Sequence, residues 1–166
     1  AAASPAEQKQ LWELYVGSEV TAADLVPSDV QPMIPVIHHG KNSLPAHKHF
    51  QKRFCRADDG SGKLWGYNHQ GLAWATGPGY FVAHEVEGES NPPSTYAIFY
   101  KEIPPKAPAG WPRVIANEQK LGRFIYAGMT DYLRKVSSHV LIGRAAKGGK
   151  EMNAYFLLCR DEQTES

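Results

Sequence analysis

The sequence predicts an α+β domain, an antiparallel meander sheet packed against one long helix, with a short N-terminal helix before it and a C-terminal β-hairpin after it. Three observations carry this expectation. Short runs rich in aromatic and β-branched residues, separated by turn-forming residues, fill the stretch 49–103. Residues 117–136 place apolar side chains at the 3, 4 and 7 spacing of one helix face. Two further strand-like runs flank Gly148 and Gly149. A small barrel capped by the same helix is the alternative arrangement. At 166 residues the chain suits one domain, 1–166, able to bury about two thirds of its unfolded surface.

Taken in order, Ser4-Pro5-Ala6-Glu7 is a capping box with Pro at the first helical position, so a helix starts there. Leu11, Trp12 and Tyr15 form its buried stripe, which ends near Gly17. A second short helix is expected over 21–26, stopped by Pro27. Residues 27–46 carry Pro27, Pro32, Pro35 and Pro45 and read as a pinned, irregular segment. Strands are expected at 49–56, 63–68, 72–76, 80–87 and 95–103. A stiff Pro-rich crossing at 104–110 leads into the long helix at 117–136, whose apolar face holds Leu121, Phe124, Ile125, Met129, Tyr132, Leu133 and Val136. Gly128 falls on that face and is expected to admit a close neighbour, while Arg123 and Arg134 lie off it and read as exposed. The hairpin strands are 139–144 and 152–159.

Composition excludes several classes. Eighteen basic residues against seventeen acidic ones give a net charge of +1 without any basic run, which leaves no electrostatic footprint for nucleic acid. No apolar stretch reaches the roughly 20 residues of a membrane-spanning helix. The Ala1-Ala2-Ala3-Ser4 start resembles the small residues around a signal-peptidase cut, so a secreted or periplasmic location is expected. The even cysteine count then suggests a disulfide between Cys55 and Cys159.

Four of the seven histidines, His38, His39, His47 and His49, fall within twelve residues. His47 and His49 stand two apart, so on an extended segment their rings share a side, as two imidazole ligands of one metal require. His84, in an otherwise apolar run, is the third candidate, giving a metal set of His47, His49 and His84 for a divalent ion, zinc or another transition metal. His-x-His after Pro, followed by a meander and a later strand His, is loosely similar to the metal site of cupin barrels. The chain departs from that pattern in lacking the acidic ligand after His49, where Phe50-Gln51-Lys52-Arg53 stands, and in its long helix. Val36-Ile37-His38-His39 is similar to the strand bearing the first zinc ligand of peptidoglycan amidases, but His139 and Cys159 lack the setting of the later ligands.

The aromatic residues suggest a second chemistry. Trp65, Tyr67, Trp74 and Tyr80 crowd neighbouring strands and are expected to line an apolar ligand pocket, with Arg144 as a candidate anion anchor. His84 and Glu85 are the best catalytic pair. The expected function is therefore an exported small-ligand or metal-binding protein with an aromatic pocket and a histidine cluster. A small histidine-dependent hydrolase or lyase, with or without a metal, is the alternative, and a protein-interaction module without pocket chemistry is the third.

Overall fold

The computed structural model describes residues 3–45, 48–70, 77–88, 93–117 and 125–161. Two short helices, α1 (Pro5–Leu14) and α2 (Ala22–Leu25), precede eight strands: β1 (Val36–Asn42), β2 (His49–Arg56), β3 (Leu64–His69), β4 (Tyr80–Glu85), β5 (Tyr96–Phe99), β6 (Met129–Lys135), β7 (Val140–Lys147) and β8 (Lys150–Arg160). Each strand pairs antiparallel with the next, and β1 closes on β8 through His39 opposite Cys159, so the sheet is a closed barrel.

This overturns the expected α+β sheet with one long helix. Residues 129–135, assigned to the helix, are a strand paired on both sides. The barrel alternative loses its capping helix over the same residues; 117 is a buried loop residue, and 118–124, with Leu121 and Phe124, lie outside the described residues. The physical reason is local. Gly128 adopts φ +73, a conformation that ends a helix and that glycine takes without strain. Among the described residues no side chain presses on it; its carbonyl instead accepts from the Gly148 amide at 3.0 Å. Met129 and Leu133 sit four apart, which satisfies a helix face, but they also share one face of a strand.

A second correction concerns β1, which forms inside the segment expected to be irregular. His38, His39, Gly40, Lys41 and Asn42 have little intrinsic strand preference, and ladders to β2 and β8 on both sides impose the extended backbone. The predicted strand at 72–76 lies outside the described residues. Cys55 and Cys159 are both free. Strand β1 stands between β2 and β8, and two strand spacings of about 4.8 Å already exceed the reach of roughly 7 Å between bridged Cα atoms.

Alternation of burial along the strands separates an inner face from an outer one. Val36, Phe54, Leu64, Phe81, Ile98, Leu133, Leu141 and Leu158 fill the barrel, and Val20, Leu25 and Val26 plug one end, where the His38 ring lies 2.8 Å from the Leu25 carbonyl. On the outer face α1 lies on β7 and β8, with Trp12 packed on Ile142 and Tyr155. The Ser4–Glu7 capping box forms as the sequence indicates. Arg134, expected in solvent, is buried beneath α1: its guanidinium lies 3.7 Å from the centroid of the Trp12 ring and donates to the Trp12 and Pro93 carbonyls. Among the described residues no helix is long and apolar enough to cross a membrane.

Candidate functional site

Three inward-facing glycines, Gly40, Gly66 and Gly143, stand directly opposite Phe50, Phe81 and Phe156 on neighbouring strands. In each pair the ring lies over the glycine: an added Cβ would meet a ring carbon at 2.3 Å in the first, 2.4 Å in the second and 2.1 Å in the third. Absence of a side chain at one position therefore makes the bed for the ring at the other. Among the three rings rises the side chain of Lys52 from β2. Its ammonium nitrogen is 5.6 Å from the Phe50 ring centre, 5.3 Å from Phe81 and 5.2 Å from both Phe156 and Tyr100. These distances are within the range of a cation–π attraction.

Three acceptors satisfy the three ammonium protons. Lys52 Nζ donates to Asn68 Oδ1 at 2.8 Å and to the Tyr100 hydroxyl at 2.5 Å, and lies 3.1 Å from Asp131 Oδ2. The Tyr100 hydroxyl donates in turn to Asp131 Oδ2 at 3.1 Å and accepts from Asn68 Nδ2 at the same distance. Lys52 is only 3 % exposed. A charge so placed would cost several kcal/mol without its partners. Burial pulls the Lys52 ammonium below its ordinary range, and Asp131 opposes that pull. Burial, followed by the Asp131 charge, pushes the Tyr100 phenol well above its ordinary range.

A cavity of about 370 Å³ lies over this cluster at the end of the barrel away from α2. Phe50, Met129, Met152, Ala154 and Phe156 form its apolar wall, with Leu44, Ile125, Asn42, Gln70 and Lys147 around the rim and Lys52, Asn68, Tyr100 and Asp131 at the floor. Tyr126 lines it as well, stacked on Tyr100 with ring centres 5.3 Å apart. The volume is that of a small-molecule site, and an apolar wall with few convergent polar groups is the usual composition of one.

The residues expected to form a pocket lie elsewhere. Trp65, Tyr67 and Tyr80 point outward from β3 and β4, where Trp111 of the Pro-rich crossing covers them, 4.8 Å from the Tyr67 ring and 6.4 Å from Tyr80. The Tyr80 hydroxyl donates to the Pro112 carbonyl at 2.5 Å, and Asn117 ties the same segment to the Tyr80 and Tyr100 carbonyls. This is a second core outside the barrel. Trp74 lies outside the described residues. Arg144 points outward from β7, paired with Glu151 and stacked on Tyr155.

His47 also lies outside the described residues. His49 is exposed at the start of β2, beside the cavity end, whereas His84 sits near the far end of β4; the described residues do not bring these two together. Among the described residues no group of three or more His, Cys, Asp and Glu side chains is placed to hold a metal. The carboxylate beside His84 is Glu102, 2.8 Å from Nε2, and its ring stacks on Phe99; Glu85 offers only its carbonyl, 2.7 Å from Nδ1. His38, buried in contrast to the exposed His39 and His49, belongs to the plug.

Lys52, Asn68 and Asp131 were not among the sequence candidates, and Tyr100 stood there only as one of the aromatic residues, with Tyr96 and Phe99, that follow the expected pocket strands. A signal existed: Phe50, Lys52 and Phe54 alternate, as do Met129, Asp131 and Leu133, and each series puts one charge in an inward row. Compared with known proteins, the chain matches no family model, no curated protein and no solved structure.

Proposed function

We propose that this chain is a small-molecule-binding barrel whose ligand has an apolar body and one neutral polar group, a carbonyl or hydroxyl, turned toward the floor of the cavity. The observation that carries this reading is the buried, caged Lys52 beneath an apolar wall. Lys52 and Asp131 balance one another, so a charged ligand group would meet repulsion from one of the two. A neutral oxygen can accept from Lys52 or Asn68, or exchange hydrogen bonds with Tyr100, without upsetting that balance. The wall supplies the affinity, at about 25 cal/mol for each Å² of apolar surface removed from water.

The test uses the neutral dye N-phenyl-1-naphthylamine, read by its fluorescence. Saturable binding of one dye per chain is expected in the wild type, and its loss in Ala154→Trp, which fills the cavity from β8. Circular dichroism must show the same strand content in both. Equal dye binding by the two proteins would place the dye elsewhere and remove the reading. An enzyme acting on such a ligand is the second reading, favoured by the contact of Lys52, Asp131 and Tyr100, three groups able to exchange protons.

A further inference from the structure

We propose that Lys52 is a reactive amine that captures aldehydes and unhindered ketones in the cavity as protonated imines. This rests on the cavity reading and gives its ligand a chemical class.

Position comes first. An amine is a useful nucleophile toward a carbonyl when it is held at the end of an apolar cavity with a proton acceptor in contact. Lys52 Nζ lines the cavity floor and lies 3.1 Å from Asp131 Oδ2, while the Tyr100 hydroxyl touches both. No other described lysine is buried in this way.

The proton balance closes within these groups. The Lys52 ammonium gives a proton to the Asp131 carboxylate, and the free amine nitrogen adds to the carbonyl carbon. A nitrogen proton passes to the carbonyl oxygen, giving the carbinolamine. Asp131 then returns its proton to that hydroxyl, which leaves as water as the C=N bond forms. One ammonium and one carbonyl compound become one protonated imine and one water, and Asp131 ends as it began.

The cage suits both ends of this sequence. The ammonium and the protonated imine each carry one positive charge at the same nitrogen, so the four aromatic faces and Asp131 attract product as well as reactant. The imine keeps one N–H, which Asp131 can accept, and Asn68 and Tyr100 are released toward the new water. Burial favours the free amine that begins the reaction.

The experiment incubates the whole chain with 2-naphthaldehyde and cyanoborohydride near neutral pH, with 2-naphthalenemethanol titrated in parallel as a ligand of the same shape that forms no imine. The expected result is one adduct per chain, heavier by the aldehyde less one oxygen. A peptide map should place it on Lys52, at a rate about tenfold above any other lysine. The alcohol should bind saturably and slow the labelling. The double variant Lys52→Met with Asp131→Leu, which leaves no unpaired buried charge, should lose the adduct while its circular dichroism stays that of the wild type. Alcohol binding without a Lys52 adduct, or adducts scattered over exposed lysines, overturns the imine proposal and leaves the cavity reading standing. Failure of both probes to bind removes the cavity reading, and this proposal with it.

Discussion

Acid should weaken the plug of the barrel through one side chain. His38 is 1 % exposed, and its Nε2 lies 2.8 Å from the Leu25 carbonyl. Its Nδ1 is buried with no hydrogen-bond partner, so a proton added there would gain nothing. Loss of solvation, followed by the nearby charge of Arg160 and by His39, lowers the His38 pKa from 6.5 to about 4, against the opposing pull of the Leu25 carbonyl. The folded chain therefore holds this ring neutral at pH values where the unfolded chain protonates it. Its contribution is fully present above 6.5 and is lost as the pH falls through about 4. At about 1.4 kcal/mol per pH unit the loss amounts to roughly 3 kcal/mol, a large part of the 5–15 kcal/mol typical of a domain. Two half-buried carboxylates begin to lose their partners at the acid end of this range: against the upward pull of burial, Asp24 is held down by Lys135 and Thr21, and Glu102 by His84 and Lys63. The comparison is therefore with His38→Gln, which can still donate to the Leu25 carbonyl but does not titrate. Urea unfolding followed by tryptophan fluorescence between about pH 7.5 and pH 4 gives both stability curves. Wild type should lose roughly 3 kcal/mol more than the variant across that range. Two parallel curves would refute the reasoning.

Three more outcomes can be checked with the same melts or with simple reagents. Gly66→Ala should cost about 3 kcal/mol, the upper end for overpacking, because its Cβ would meet the Arg53 backbone oxygen at 2.5 Å as well as the Phe81 ring. At Gly40 the nearest atoms to an added Cβ all belong to the half-buried Phe50 ring at the cavity end, and Gly40→Ala should cost about 1 kcal/mol; equal costs would contradict the packing described. Asp131→Asn should cost about 3–5 kcal/mol by stranding Lys52, whereas Lys52→Met with Asp131→Leu should be close to neutral, and the reverse order in a melt would count against the buried pair. One thiol, Cys159, should react rapidly with a thiol reagent in the native protein, and Cys55, buried and with its thiol pushed up to about 12, only after unfolding; two fast thiols would contradict the outer core.

The meander was legible because its strands alternate and their turns carry Asp, Asn and Gly. The expected strand 49–56 coincides with His49–Arg56, and 63–68 differs from Leu64–His69 by one residue at each end. Closure was not legible. It depends on β1, whose His-His-Gly-Lys-Asn run gains its extended form from two neighbours distant in sequence, and on β6, whose Met129 and Leu133 fit two periods at once. The site was lost with them. Once 129–135 is taken as a helix, Asp131 has no reason to face Lys52, and Tyr100 becomes one more aromatic of a meander strand. For Trp65, Tyr67 and Tyr80 a period of two shows that they share a side of the sheet but not whether that side is the interior. The three glycine–phenylalanine pairs emerge only from the register, since nothing in the sequence joins Gly40 to Phe50 or Gly143 to Phe156.

Every seam of the barrel but one joins strands that follow each other along the chain, which has a kinetic consequence. Six of the pairings can zip from connections of ten residues or fewer, each hairpin templating the next, whereas β5 and β6 must close over residues 100–128 and β1 must meet β8 across most of the sequence. Each doubling of a loop adds about 0.6 kcal/mol to its closure, and such non-local contacts slow the search for the native state. Helix α1 spans that same gap in the folded chain, since it packs on β7 and β8. With Trp12 settled on Ile142, Tyr155 and Arg134, α1 holds the segment before β1 against the final hairpin, so any chain in which that contact has formed meets the last ladder as tethered ends.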